Sequence, residues 1–147
     1  MTMKKLLLIL AIVIGVFSMP ARDSYTHDVN VLPTAAQSIL KNNFKAEVSH
    51  IKIEKDWGKV SEYDVILTDG SEITFDSAGN WKDIEVKRSA SVPEKFVPTE
   101  ITTYVKQNQK NSRITGIEKN RAGYEVELSN GVEMKFDING KFLRYDK

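Results

Sequence analysis

Apolar and polar positions alternate with period two through much of the chain, the pattern of strands with one buried face. Val48 to Lys55 puts Ser49, Ile51 and Ile53 on one side and His50, Lys52 and Glu54 on the other. Tyr63, Val65 and Leu67 alternate with Glu62, Asp64 and Ile66, and Ile73 and Phe75 alternate with Glu72, Thr74 and Asp76. Asp69-Gly70 between these two runs predicts a hairpin turn, because Asp and Gly tolerate the positive φ angles of a two-residue loop. A further turn at Ser77 to Gly79 leads to a last strand at Asn80 to Val86. Upstream, Leu32-Pro33, Ala36, Ile39 and Leu40 fall on one face of a helix of about 12 residues, with Pro33 where the first turn tolerates a missing N–H.

The second half repeats the first. Residues 63–81 aligned without a gap on 124–142 match at Tyr63/Tyr124, Val65/Val126, Leu67/Leu128, Gly70/Gly131, Glu72/Glu133, Phe75/Phe136, Asp76/Asp137 and Gly79/Gly140. Val97-Pro98, Ile101, Tyr104 and Val105 match the helix face, and Arg113 to Lys119 the first strand. The offsets differ, so the first copy carries about four extra residues near Asp56 to Glu62. The expected fold is α+β: two tandem α-β-β-β-β repeats at 31–87 and 96–147, each a helix on a four-stranded antiparallel sheet, joined by a polar linker at 88–95. Units of about 55 residues are marginal alone, so the two should pack together.

Met1 to Ala21 has a secretory layout: Lys4 and Lys5, the apolar run Leu6 to Phe17, then Ser18, Pro20 and Ala21. The run is shorter than the roughly 20 residues of a membrane span, so cleavage, no stable membrane anchor and a periplasmic or secreted product are expected, with 22–30 as an N-terminal tail. No cysteine is present, which excludes disulfides, thiolate metal sites, cysteine nucleophiles and a lipid-modified Cys. The formal charge of +1, about −1 after removal of 1–21, argues against a nucleic-acid partner. Charge is uneven along the chain: acids outnumber bases in 31–87, and bases outnumber acids in 88–147.

The order of elements and the repeated motif Y-x-V-x-L-x-[DN]-G-x-E-x-x-F-D-x-x-G resemble the exported PepSY-like, beta-lactamase-inhibitor-like family of gut Bacteroidetes, over residues 31–147. The resemblance implies tandem α-β4 units whose sheets form a continuous curved surface similar to that of beta-lactamase inhibitory protein, where the concave face grips a partner protein. It also implies kinship with PepSY domains, which are proposed to restrain peptidases. Unlike that inhibitor, this chain has no cysteine and no segment matching its inhibitory contacts.

Reactive groups are sparse. The two histidines, His27 in the tail and His50 on a polar strand face, lack metal-ligand spacing, so no metal and no cofactor are expected. No nucleophile elbow or phosphate loop occurs, and Asp76 and Asp137 read as turn residues bonding their own backbone. The chain is therefore expected to be a non-enzymatic protein- or peptide-binding module, a small-ligand carrier or envelope-stress protein being the alternative. Tyr63, Tyr124, Phe75 and Phe136 fall on the apolar phase and read as core. Trp57 lies among the extra residues, and Trp81 is out of phase with Ile84 and Val86. Trp57, Trp81, Ile66 and Tyr145 are the candidate partner-binding residues on an exposed sheet face, Trp81 joining the core instead if a bulge near Gly79 shifts its phase.

Overall fold

The computed structural model describes residues 22–146, and the secretory segment expected at 1–21 lies outside the described residues. The fold is α+β, with two helices and a nine-stranded sheet that is antiparallel throughout. The chain runs β1 (Ser24–Thr26), α1 (Thr34–Asn43), β2 (Val48–Asp56), β3 (Lys59–Leu67), β4 (Glu72–Asp76) and β5 (Trp81–Glu85). It continues α2 (Thr99–Asn108), β6 (Ile114–Asn120), β7 (Gly123–Leu128), β8 (Glu133–Asp137) and β9 (Phe142–Asp146). The strands lie in the sheet in this same order. Residues 22–30, expected as a tail, instead supply β1, which sets Thr26 opposite Ile51. β5 pairs with β6, Ile84 opposite Ile117, so one sheet crosses the middle of the molecule.

Pro33 and Pro98 occupy the N-cap positions of α1 and α2 with the φ their rings impose. Ala36 and Leu40 of α1, and Ile101 and Val105 of α2, are buried in one cluster with Ile51, Val65, Phe75, Ile117, Val126 and Phe136 of the sheet. Both helices thus cover the same face, and the alternate residues of every strand form an open one. The Asp69-Gly70 and Asn130-Gly131 hairpins differ from expectation. Only the glycines have positive φ, and Leu67 N–H bonds Ser71 O while Gly70 N–H bonds Leu67 O. The loop is a turn closed by a left-handed glycine, and Asp69 and Asn130 contribute through their side chains, which accept from Ser71 N–H and Val132 N–H. The two-residue loop with both residues at positive φ is elsewhere, at Trp57-Gly58 between β2 and β3.

The segment read as a linker is structured. Val92 is buried and its N–H bonds Ile114 O at 2.8 Å, and just past the segment Phe96 lies face to face with Phe44 at 6.2 Å and edge-on to Trp81 at 5.7 Å. These rings seat the start of the second half on the end of the first.

Candidate binding surface

The structure separates the four candidate residues. Trp81 is on the helix-covered side: a bulge between Thr74 and Phe75 sets Trp81 opposite Phe75 and Asp83 opposite Thr74, leaving Lys82 as the extra residue and turning the indole inward. There Trp81 meets Phe96, with the Lys119 ammonium 4.3 Å from its ring centre. Tyr145 lies opposite buried Met134, on the helix side at the sheet's last strand, and packs on Phe142 at 5.1 Å. Ile66 is on the open face, between His50 and Glu72. Trp57 is fully exposed at the tip of the β2–β3 hairpin.

The open face is dominated by carboxylates, and its register brings like charges together. Glu54 lies directly opposite Glu62, Glu72 opposite Glu85, Glu118 opposite Glu125, and Glu127 opposite Glu133. Cationic side chains thread this array: Lys52 bonds Glu54 at 2.7 Å and Asp23 at 3.2 Å, Lys82 bonds Glu62, and Lys135 reaches Glu125 at 3.0 Å and Asp146 at 3.3 Å. Near the centre Glu54, Glu62, Asp64, Thr74, Asp83 and Glu118 line a depression of about 260 Å³. Burial raises the Asp64 carboxyl above its ordinary range, and the nearby Glu54, Glu72 and Glu62 add to the rise against a 2.7 Å hydrogen bond from Thr74. Burial likewise raises Glu127, with Glu85 and Glu133 contributing. The charge asymmetry read along the chain is thus joined in the folded protein by a segregation between faces.

The turn aspartates and the two histidines have structural neighbours. Asp76 Oδ1 accepts from the backbone N–H of Ala78 and Asn80, and Asp137 Oδ1 from those of Asn139 and Lys141, all at 2.9 Å. His27 Nδ1 is 2.6 Å from Ser49 O, and His50 lies beside Tyr25 with ring centres 6.4 Å apart. Among the described residues no group of three or more His, Cys, Asp or Glu is arranged to hold a metal ion.

Trp57 carries a backbone feature of its own. Its φ is +51°, a region that favours Asn, Asp and Gly and that a bulky residue enters at a penalty. Trp57→Asn is therefore expected to stabilise the protein by about 1 kcal/mol, read as a higher urea midpoint at unchanged slope. A lowered midpoint would show that the indole contributes to the fold.

The sheet order, the helices on one face and the recurring turns have a counterpart among known families. Residues 61–144 match the family described as "Putative beta-lactamase-inhibitor-like, PepSY-like". The chain belongs to this PepSY-like family. Three solved structures are similar to this PepSY-like protein. A "putative periplasmic protein of unknown function" from Bacteroides vulgatus is 43% identical with a TM-score of 0.80, over 86% of this chain and 100% of that one. A "putative calcium-regulated periplasmic protein" from Bacteroides thetaiotaomicron is 33% identical with a TM-score of 0.77, over 85% and 97%. A second B. vulgatus "putative periplasmic protein" is 36% identical with a TM-score of 0.76, over 85% and 97%. No curated protein matches the sequence. The protein is periplasmic or secreted, and no helix among the described residues is long and apolar enough to cross a membrane.

The like-charge pairs of this PepSY-like protein were missed because each strand, taken singly, shows only an ordinary polar face. Glu72 and Glu133 recur between the halves, but their partners Glu85 and Glu127 come from neighbouring strands whose register a single strand does not disclose.

Proposed function

We propose that this is a non-enzymatic binding module, two tandem α-β4 repeats fused into one sheet, whose open face holds a cationic segment of a protein or peptide partner and so restrains an envelope enzyme. The observation that carries the reading is the set of Glu–Glu pairs directly opposite one another on that face. Like charges in this position destabilise a sheet; Lys52, Lys82 and Lys135 already offset the pairs of Glu54 with Glu62 and Glu118 with Glu125, and a partner's lysine or arginine would be held by the same attraction. Ile66 adds an apolar contact among the carboxylates, and Trp57 stands at the end of the hairpin that carries Glu54 and Glu62. The calcium regulation attributed to the B. thetaiotaomicron protein is consistent with this, since a divalent cation would compete for the same carboxylates.

The test is fluorescence anisotropy with a labelled octapeptide alternating Lys and Val, against its Glu–Val counterpart. The Lys peptide is expected to bind, to weaken as salt or calcium rises, and to lose about tenfold on Glu72→Gln/Glu127→Gln. Glu127→Gln alone, which relieves the repulsion from Glu133, should be more stable than the native chain by about 0.5 kcal/mol, separating lost binding from lost folding. Equal binding of both peptides, or indifference to the double substitution, would remove the sheet face from the reading.

The carrier alternative rests on a cavity of about 560 Å³ between α1 and the start of β2, lined by Val29, Gln37, Leu40, Lys41, Ala46 and Val48. Its size suits a small molecule, but it is walled in part by exposed Val29, and it leaves the paired glutamates without a role.

A further inference from the structure

β9 and β5 hold the same place in their halves. Each carries a bulge residue, Lys82 in β5 and Leu143 in β9, and Trp81 and Phe142 face Phe75 and Phe136. The far edge of β5 is taken by β6, which sets Ile117 against Ile84 and Glu118 against Asp83 and leaves Ile84 with no exposed surface. β9 ends the sheet, and no strand lies beyond it among the described residues. Tyr145, at the position of Ile84, is 46% exposed, and neighbouring Leu143 is 57% exposed. The other end of the sheet is blunted by the three-residue β1.

Charge indicates what β9 would accept. Arg144 stands where β5 has Asp83, on a face otherwise rich in carboxylates. Two copies joined antiparallel about Arg144 would oppose their guanidinium groups, which disfavours self-pairing. A strand with a carboxylate at that position, as β6 has in Glu118, meets an opposite charge instead.

We infer that β9 is a docking edge for an extended segment of another protein. The segment adds antiparallel as a tenth strand, placing an aliphatic residue opposite Tyr145 and a carboxylate opposite Arg144. The backbone of β9 supplies the hydrogen bonds, and Arg144 and Tyr145 supply the selection. This edge is distinct from the acidic face, so Glu72→Gln/Glu127→Gln should leave it intact.

The probe is a labelled synthetic peptide with the sequence of residues 113–121, the internal strand that fills the corresponding edge of β5. Titrated into the purified protein, it is expected to shift the amide resonances of β9. A Glu118→Lys version of the peptide should bind about fivefold more weakly, and Arg144→Glu in the protein should reverse that order. Circular dichroism confirms the fold of the variant, whose substituted side chain is exposed. Absence of shifts in β9, or the same peptide preference in Arg144→Glu, would overturn the inference.

Discussion

Replacing Gly123 with alanine is expected to destabilise the protein by about 3 kcal/mol, more than any other glycine-to-alanine change in its turns. Gly123 opens β7 with φ +141°, and a Cβ there would lie 2.1 Å from Phe136 O and 2.6 Å from the Asp137 carbonyl carbon. Those are backbone atoms of the paired strand β8, so relief requires parting the β7–β8 ladder that Gly123 enters opposite Asp137. Gly131→Ala is the matched control: its φ is +85°, but nothing lies within 4 Å of the added carbon, so only the conformational penalty of about 1 kcal/mol should appear. Urea unfolding of the two variants measures the difference. Equal losses would show that β8 gives way at Phe136 and Asp137.

Phe96→Ala is expected to lower stability by about 4 kcal/mol while leaving a single unfolding transition. Phe96 is 5% exposed and touches two rings of the first half: Phe44 at the end of α1 and Trp81 on β5. Truncation leaves a cavity between these rings, where the start of the second half rests on the first. The pairing of β5 with β6 would still couple the two halves. Calorimetry with a second, far-ultraviolet probe checks the outcome, and two separated transitions would mean that the aromatic seat alone makes the halves cooperative.

Much of this architecture was legible in the sequence because burial imposes periodicity. The alternation at Tyr63, Val65 and Leu67 marks the buried side of β3, and the spacing of Ile101 and Val105 marks the buried side of α2. What escaped depends on pairing between strands. A one-residue bulge opposite Phe75 decides which way Trp81 points, and periodicity within one strand leaves that orientation undetermined. Trp57-Gly58 escaped for a different reason: tryptophan is an improbable occupant of a left-handed turn position. β1 is only three residues long, too short for alternation to stand out. The candidate surface was legible in part. Ile66 lies where its phase placed it, but the acidic character of the face emerges only when Glu72 meets Glu85 and Glu127 meets Glu133 across the strands.

The order of strands in the sheet, identical to their order in the chain, bears on how the protein acquires its structure. Each pairing joins neighbours in sequence, and all but β1–β2 and β5–β6 close through a short turn. Nucleation at a hairpin therefore needs little loop-closure entropy, and growth can proceed outward one strand at a time. The two slower closures each span a helix, so α1 and α2 are the elements whose docking would set the pace at which the sheet becomes whole.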